Sequence, residues 1–363
     1  MKLIKSIKCR IQVNEEEKNI LQETLNVWTY ACNDILAIAK EKKDFNQYHI
    51  HHLVYHPIKD KYSLQSNLVV RAIARVCHKR KKQPKAFKCR SMDVDTRTFR
   101  FIERTGILSL STIQGRKKYK LALSNYHIAI LKGQSPKSAV VFYSKPKKAF
   151  YINFTLEKEV RTPKGSNPVG IDLGINNIAT TSNGMQFSGN YGKHIRRHFQ
   201  KVRTSLQSKG TKGAKKTLRR LSGKEKRIMA HINHTISRRI VNNLKQGDVV
   251  IMEKLTHIRE NTTVRKKQRY LHNSWDFARL QQFITYKALE KGISTIFVDP
   301  KNTSHICPSC GLTGSRIKHI FFCSCGYRNN ADFVGAYNIS KRGFALLDGL
   351  SCKPALNQHA FCS

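Results

Sequence analysis

Carboxylates are scarce in the second half of this sequence, so their positions are informative. Ten follow Val160, and two of these, Asp172 and Glu253, lie at the end of strongly apolar segments typical of β-strands. A buried carboxylate is costly unless it is paired or bound to a metal ion. Any one acid alone is best explained as a cap or an ion-pair partner, and Asp248 and Asp299, at other strand ends, are interpreted as structural.

Asp332 completes a candidate catalytic trio, because it stands at the start of the apolar segment 331–339, predicted to be a helix. Carboxylates can hold two Mg²⁺ ions about 4 Å apart, one activating water and one stabilising the leaving oxygen of a phosphodiester. Three carboxylates suffice, since Mg²⁺ prefers oxygen ligands and retains waters. We therefore predict that Asp172, Glu253 and Asp332 are catalytic magnesium ligands.

Two close cysteine pairs indicate a second metal site. Such spacing fits a tetrahedral Zn²⁺, whose four protein ligands leave no open position for catalysis, so the predicted role is structural. A glycine follows each pair and permits a tight turn. The second pair is spaced C-x-C rather than C-x-x-C, which leaves open a mixed site in which His305 or His319 replaces one thiolate. The four predicted ligands are Cys307, Cys310, Cys323 and Cys325.

The first 160 residues predict a β-barrel-like domain that carries a helical insertion at about 14–86. Residues 1–13 alternate apolar and basic side chains, as in a strand, and Asn14 with Glu17 three residues later is typical of a capped helix start. A second helix is predicted over 63–82. The following segment, 87–156, is rich in short strand-like runs, including a hairpin formed by 139–143 and 150–156.

After a linker at 161–168 the pattern becomes α/β. A long basic helix is predicted to run to about residue 246, with Gly247 as its cap, and another helix is predicted over 274–291. In an RNase H-like sheet the first and fourth strands lie side by side, which would bring Asp172 and Glu253 together. The predicted strands are 169–173, 178–182, 185–187, 248–253 and 293–298.

The charge balance points to a polyanionic partner. The 363 residues contain 67 Lys and Arg against 23 acids, a formal net charge of +44, and these cations run through the whole sequence. Nucleic acid is the expected partner, with a solvated basic surface or an anionic membrane as alternatives. No apolar run has the length of a membrane span, and the N-terminus lacks the features of a secretory signal.

Several basic and aromatic residues invite functional interpretations. The stretches 78–82 and 196–220 are predicted to grip phosphates. Arg328 could approach a phosphate near Asp332, although a basic surface position is the simpler interpretation. His231 and His234 are expected to have packing or capping roles rather than to be ligands. Tyr119 and Phe150 could stack on bases, but we expect them to lie in the core.

Three motifs occur in an order that resembles the TnpB (OrfB) proteins of bacterial insertion sequences, relatives of the type V CRISPR effector nucleases. They are VGIDLG at 169–174, MEKL at 252–255, and the cysteine cluster running into NADFVGA at 330–336. Further matches are NHTIS at 233–237, YKA at 286–288, and DP at 299–300 leading through NTS at 302–304 to the first cysteine pair. The resemblance is strong from 169 to about 341 and rests on element order before that.

The resemblance implies an RNA-guided DNA endonuclease encoded by a transposable element. Its expected partners are a guide RNA from the flanking noncoding segment and double-stranded target DNA, at the nucleoid in the bacterial cytoplasm. Implied parts are a wedge domain with a recognition insertion (1–160) and an RNase H-like (RuvC) nuclease domain (161–342) with an inserted zinc ribbon (about 303–328). The tail 343–363 contains no recognisable motif, and we expect it to be disordered. Alternatives are a strand-transfer transposase and a nuclease-inactive guided DNA-binding regulator, although the latter requires a lost acid and all three are present.

Overall fold

The computed structural model of the chain describes residues 2–80, 83–162, 165–255, 270–272 and 274–347. These residues form two compact units, one over 2–159 and one from residue 160 onward. Among the described residues, no helix combines the length and apolar character needed to cross a membrane.

The first unit is a seven-stranded sheet with a helical insertion. Its neighbouring strands pair antiparallel, in the order β2-β6-β7-β1-β5-β4-β3. The strands are β1 (Lys2–Gln12), β2 (Ser91–Asp95), β3 (Phe99–Ile102), β4 (Ile107–Thr112), β5 (Gly115–Ala122), β6 (Ser138–Ser144) and β7 (Ala149–Glu159). The helices are α1 (Glu15–Glu41), α2 (Gln47–Tyr62), α3 (Ser66–Cys77) and α4 (Asn125–Leu131).

The connection between the two edge strands requires this sheet to curl. Strands β2 and β3 lie at opposite edges, yet only the residues between Asp95 and Phe99 join them. Six strand spacings of about 4.8 Å would separate the edges of a flat sheet by about 29 Å. Four residue steps span at most about 14 Å. The sheet is therefore strongly curved, and the side chains of Tyr119 and Phe150 are buried in the core, as expected.

The helical insertion differs from the prediction in two of its helices. Helix α1 begins with the predicted capping box, in which Asn14 and Glu17 exchange side-chain-to-backbone hydrogen bonds of 2.7 and 3.0 Å. Helix α2 was not predicted, and it contains Pro57, a residue that usually breaks a helix. The single helix predicted over 63–82 is also wrong in extent, since α3 covers 66–77.

The second unit is built on a five-stranded sheet in the order β10-β9-β8-β11-β12. Strand β11 pairs parallel with β8 on one side and with β12 on the other, whereas β9 pairs antiparallel with both β8 and β10. The first and fourth strands of this sheet are thus neighbours, as predicted. The strands are β8 (Asn167–Asp172), β9 (Asn177–Thr181), β10 (Gln186–Ser188), β11 (Asp248–Glu253) and β12 (Ser294–Val298).

The prediction of one long basic helix after β10 is wrong. Three helices occupy this stretch, α5 (Asn190–Lys209), α6 (Lys212–Leu221) and α7 (Lys224–Asn242). The breaks fall at Gly210 and Gly223, which adopt positive φ angles of 63° and 82° that favour glycine. Gly247 does not cap α7; it lies at φ 91° in the turn that precedes β11.

From residue 277 to 347, the described part of the second unit contains two helices and a small sheet. Helix α8 (Phe277–Glu290) leads into β12, and the antiparallel sheet of β13 (Ser315–Ile317), β14 (Ile320–Phe322) and β15 (Arg328–Asn330) precedes α9 (Ala331–Leu347). Helix α9 therefore continues to Leu347, although the tail was predicted to begin at residue 343. The remainder of that tail, 348–363, lies outside the described residues.

Helix α9 packs against the five-stranded sheet through glycines. A Cβ atom added at Gly170 of β8 would lie 2.0 Å from the carbonyl oxygen of Ala336. One added at Gly343 would lie 2.4 Å from the Ile251 side chain. Real Cβ contacts are longer than this, so the helix can reach its position only because these residues lack side chains.

We predict that Gly170→Ala lowers the free energy of unfolding by about 3 kcal/mol, because the added methyl group must push α9 away from β8. The matched control is Gly213→Ala on α6, where nothing lies within 4 Å of the added atom, and which should stabilise by roughly 0.5–1 kcal/mol. Denaturant unfolding measures both. Equal midpoints for the two variants would contradict the close packing.

Candidate active site and metal centre

The first two predicted catalytic acids end neighbouring parallel strands. Asp172 is the last residue of β8, and Glu253 is the last residue of β11. Ile171 and Met252 are register partners, so the two acids follow directly at the next position of each strand. Side chains at matching positions of paired strands point to the same face of a sheet. The topology therefore brings these two carboxylates to one edge and one face.

The third acid reaches this edge from helix α9. Asp332 lies in its first turn, and Gly335 follows one turn later. A Cβ atom at Gly335 would lie 3.2 Å from Oδ2 of Asp172, so the helix touches the Asp172 carboxylate through a residue with no side chain. The three acids come from separate parts of the chain, and in the structure Glu253 and Asp332 lie close enough to Asp172 for their charges to act on it.

The electrostatics of Asp172 reflect this crowding. Burial raises the pKa of its carboxyl to about 7, and the negative charges of Glu253 and Asp332 contribute to the rise, against a lowering by Arg316. Burial also raises the pKa of Glu253. Carboxylates that repel one another in a desolvated cluster would be stabilised by a cation, and groups with such raised pKa values are typical of functional sites.

Neutral and cationic side chains hold the other two carboxylates. The Asn177 side-chain amide donates to Oδ2 of Asp332 at 2.8 Å, and the Arg316 guanidinium donates to Oδ1 at 3.0 Å. The Thr303 hydroxyl donates to Oε1 of Glu253 at 2.5 Å. Sequence reasoning missed all three partners. Their contacts connect residues 16 to 155 positions apart, and the spacing of the motifs does not encode such pairs.

The basic residue that contacts Asp332 is Arg316, whereas the sequence analysis named Arg328. Arg328 is exposed on β15, with its guanidinium 5.0 Å from the centre of the Phe322 ring. The cation in contact with Asp332 is Arg316 of β13, which also donates to the Lys318 carbonyl oxygen. The small sheet thus places a guanidinium at the edge of the carboxylate cluster.

The four cysteines form a compact cluster. Their sulfur atoms all lie within 4.8 Å of one another, and the pairs Cys307–Cys325 and Cys310–Cys323 are separated by 3.7 and 3.4 Å. A tetrahedron with metal–sulfur bonds of about 2.3 Å has edges of about 3.8 Å, so this arrangement fits a zinc ion. The C-x-C spacing is tolerated because Gly326 adopts φ 87° directly after Cys325.

Backbone amides further favour thiolates in this cluster. The amide N–H groups of Ser309 and Cys310 donate to the Cys307 sulfur, and that of Cys325 donates to the Cys323 sulfur. The latter bond, with the neighbouring sulfurs, lowers the pKa of Cys323 to about 6, whereas burial raises the pKa of Cys307 and the neighbouring sulfurs help to raise that of Cys310 to about 12. One thiolate is therefore favoured in the cluster without a metal ion, and a zinc ion would favour the others. His305 and His319 are exposed and lie outside the group of four, so the mixed Cys/His alternative finds no support.

The carboxylates are more widely spread than the sulfurs. Within the described part of the chain, the cysteines are the only group of three or more potential ligands whose donor atoms all lie within 4.8 Å of one another. The acids Asp172, Glu253 and Asp332 thus do not form a single-ion cage. A looser set of oxygen donors suits two hydrated ions, which complete their coordination with water.

The remaining residues singled out from the sequence have structural contacts. Asp248 accepts a backbone hydrogen bond from Lys245, and Asp299 accepts one from Lys301, as their structural interpretation requires. The His234 ring stacks on Phe283 of α8 at 3.8 Å, which confirms its packing role.

The segments NHTIS and YKA are explained by packing of α7 against α8. The ammonium group of Lys287 on α8 donates to the His234 carbonyl oxygen at 2.8 Å and to the Ser237 hydroxyl at 2.5 Å on α7. These contacts fix two helices that cover the sheet, and both helices contribute to the hydrophobic cluster that contains Ile236 and Ile284.

Part of the predicted phosphate-binding stretch 196–220 points inward. Arg196 is buried, its guanidinium lies 5.3 Å from the Trp275 ring centre, and it pairs with Glu225. Arg203 also pairs with Glu225, at 2.7 Å. The cations of this stretch that remain exposed are Arg197, Lys201, Lys209, Lys212, Lys215, Lys216, Arg219 and Arg220.

Comparison with known proteins agrees with this architecture. Residues 151–275 match a family model described as a probable transposase, and residues 277–339 match one described as a Cas12f1-like TNB domain. The Cas12f1 chain in a complex with sgRNA and target DNA superimposes with a TM-score of 0.69 at 15% identity, covering 93% of this chain and 99% of that one. The chain therefore has the fold of that protein.

Curated relatives indicate more narrowly which class of protein this chain resembles. A TnpB-like protein of Methanocaldococcus jannaschii is 36% identical over 159 residues, covering 41% of this chain and 56% of its own length. The CRISPR-associated endodeoxyribonuclease Cas12f1 of Sulfoacidibacillus thermotolerans is 34% identical over 237 residues, covering 58% and 54%. InsQ of Escherichia coli, whose name describes an RNA-guided DNA endonuclease, is 30% identical over 222 residues, covering 54% and 55%.

These matches confirm the resemblance to the TnpB (OrfB) proteins and their CRISPR-associated relatives. The chain spans about half the length of each of these three curated relatives.

We predict that Asp172→Asn stabilises the protein in chelator at pH 8. The pKa of this carboxyl is about 7 in the folded protein, against an ordinary value of 3.8. The ionised Asp172 therefore does not lower the free energy of unfolding below pH 3.8, lowers it progressively between the two values, and has its full effect above pH 7. The gain at pH 8 should reach at most about 4 kcal/mol, since a tenfold change in proton affinity corresponds to about 1.4 kcal/mol.

Thermal unfolding across pH measures this gain. The control is Asp60→Asn, at an exposed position of α2, which should leave the midpoint unchanged. A stabilisation by Asp172→Asn that is as large at pH 4 as at pH 8 would contradict the assigned burial.

Proposed function

We propose that this chain is an RNA-guided DNA endonuclease encoded by a transposable element, with an RNase H-like (RuvC) nuclease domain that hydrolyses phosphodiesters. The observation that carries the proposal is the meeting of Asp172, Glu253 and Asp332 at one edge of the five-stranded sheet, where Asp172 is half-buried and the negative charges of the other two acids help to raise its pKa. The strand order and the parallel pairing of β8 with β11 support the RNase H-like assignment.

The donor set fits magnesium. All three groups are carboxylates, which Mg²⁺ prefers, and the raised pKa of Asp172 indicates that the site favours a balancing positive charge. Asp172, Glu253 and Asp332 would hold the ions. When bound, a pair of divalent ions supplies a metal-activated water and charge stabilisation at the leaving oxygen.

The residues around the acids have roles that follow from their contacts. Asn177 and Arg316 each hold one oxygen of Asp332, and Thr303 holds one oxygen of Glu253, so neither carboxylate is free to rotate. The guanidinium of Arg316 also places a positive charge at the rim of the cluster, where it favours the approach of a phosphodiester anion.

The cysteine cluster is proposed to hold a structural zinc ion. With four thiolates as ligands, the ion would have no open position for substrate, and its role would be to fix the loops around Cys307 and Cys323. The ribbon so formed carries Arg316 and leads directly into α9, which begins at Ala331. Folding of the ribbon therefore supports the position of Asp332.

The proposed partners are a guide RNA and double-stranded DNA. The net charge of +44 favours a polyanion, and pairing by a guide would supply sequence specificity that the protein then need not provide. The names of InsQ and Cas12f1 support DNA cleavage as the reaction. Bacterial cytoplasm at the nucleoid is the proposed location. The first unit is proposed to act as the wedge and recognition region, and the second as the nuclease domain.

A strand-transfer transposase is the second candidate, favoured by the description of the model that matches residues 151–275. RNase H-like sites perform both reactions with the same carboxylates, so the trio does not separate them. A nuclease-inactive regulator is disfavoured, because all three acids are present and gathered at one place.

Co-expression of the chain with its native 3′ flanking DNA tests the proposed function. We expect a discrete RNA from that flank to co-purify with the protein. This RNA should direct cleavage in a plasmid library that carries its target next to a randomised sequence, and only plasmids with particular flanking sequences should be cut. Asp172→Ala should reduce cleavage to background while the recovered RNA is unchanged, because only the carboxylate cluster is altered. Asp60→Asn is the matched control. Persistent cutting by Asp172→Ala would remove the proposed centre, and joined DNA products would favour strand transfer.

Metal analysis of the purified full chain tests the ribbon. We expect about one zinc ion per chain. Cys307→Ser should lose most of it, whereas Cys89→Ser, which changes a cysteine outside the cluster, should retain it. Chelation of zinc should impair DNA cleavage more than RNA binding, since the ribbon lies beside Asp332. Unchanged zinc content in Cys307→Ser would argue against the assignment.

A further inference from the structure

The segment 299–306, between β12 and the first ribbon cysteine, passes beside Glu253. Thr303 in this segment is 3% exposed, and its hydroxyl oxygen lies 2.5 Å from Oε1 of Glu253. A hydroxyl at this distance from an ionised carboxylate forms a strong, charge-assisted hydrogen bond. The Pro300 carbonyl oxygen is a competing acceptor at 3.1 Å, and the shorter contact to the carboxylate takes the single hydroxyl proton.

Helix α9 holds this segment at both ends. The side-chain amide of Asn338, itself 6% exposed, donates to the carbonyl oxygens of Thr303 and Ile306, both at 2.8 Å. Arg342 donates to the Asp299 carbonyl oxygen at 2.6 Å. The backbone that carries the Thr303 hydroxyl is thus fixed by the same helix that carries Asp332.

The backbone of Glu253 is held as well. The Gln281 side-chain amide on α8 donates to its carbonyl oxygen at 2.7 Å, and the Lys254 amide donates to the Val298 carbonyl oxygen at 2.8 Å. With the end of β11 fixed, the remaining freedom of Glu253 lies in its side-chain torsions, and the Thr303 hydroxyl removes it. Partners of this kind around metal ligands typically change metal affinity by about 10–100-fold when they are lost.

We propose that Thr303 is a positioning residue that fixes the Glu253 carboxylate for divalent-cation binding. The inference rests on the proposed function, because it takes the three carboxylates to be the ion ligands. It also assigns a role to the segment itself. Ile306, whose carbonyl oxygen Asn338 binds, is followed directly by Cys307, so the anchoring of the ribbon and the orientation of Glu253 depend on one short stretch of chain.

The test compares Thr303→Val, which keeps the branched shape and removes the hydroxyl, with Thr303→Ser, which keeps the hydroxyl. Mn²⁺ binding to the full chain is measured by electron paramagnetic resonance, and the Mg²⁺ concentration for half-maximal cleavage is measured with its RNA bound. Thr303→Val should raise both midpoints about 10-fold, and Thr303→Ser should restore them to within about 3-fold of the parent. Thr295→Val is the matched control, since its buried hydroxyl on β12 has no hydrogen-bond partner in the described structure.

A Thr303→Val protein with the metal dependence of the parent would overturn the proposal, and so would a Thr303→Ser protein as impaired as Thr303→Val. If Thr303→Val does not fold, Thr303→Ala replaces it and is judged by the same two midpoints. Failure of the proposed function has a different signature. In that case Asp172→Ala itself would retain Mn²⁺ binding and cleavage, whatever the behaviour of the Thr303 variants.

Discussion

The main physical constraint on the second unit is the cost of holding one half-buried carboxylate beside two others. Asp172 ends a strand whose neighbour ends in Glu253, and helix α9 covers both strand ends so closely that a Cβ atom at Gly170 would collide with its backbone. This packing leaves the Asp172 side chain half-buried, and the resulting desolvation raises the pKa of its carboxyl. A fold that served stability alone would place an apolar residue here. The sheet, the glycines and α9 together maintain an arrangement that the proposed bound cations would stabilise.

The ribbon connects the proposed structural metal to this arrangement. Its sulfur cluster fixes the loops on either side of β13 and β14, and these strands carry Arg316 to the Asp332 carboxylate. The segment that enters the ribbon carries Thr303 to Glu253. Two of the three carboxylates are therefore held by Arg316 on the ribbon and by Thr303 on the segment that enters it, although none of the four cysteines contributes to the carboxylate cluster.

Much of the site could be predicted from the sequence because the signals are local. Apolar runs ending in Asp172 and Glu253 predict strands with terminal acids, and two cysteine pairs with following glycines predict a sulfur cluster. The pairing of β8 with β11 followed from the topology of an RNase H-like sheet, and the structure confirms that pairing. The tight C-x-C pair was the one doubtful feature, and the positive φ of Gly326 resolves it.

The parts that could not be predicted depend on tertiary contacts. Nothing in the local sequence shows that Arg316 rather than Arg328 meets Asp332, or that Arg196 turns inward to Glu225. The long basic helix was predicted from the helical spacing of apolar residues near its end, and that spacing does not show the breaks at Gly210 and Gly223. Helix α2 was not predicted, and it packs against α1 and α3 although it contains Pro57.

The central claim is that three carboxylates from distant parts of the chain form one divalent-cation site. Titration of the full chain with Mn²⁺, followed by electron paramagnetic resonance, tests it most directly when applied to Asp172→Asn, Glu253→Gln and Asp332→Asn. The account predicts that each neutral substitution alone weakens the same binding events by about 10-fold or more. Binding that survives any one of these substitutions unchanged would show that the acid in question is not part of the site.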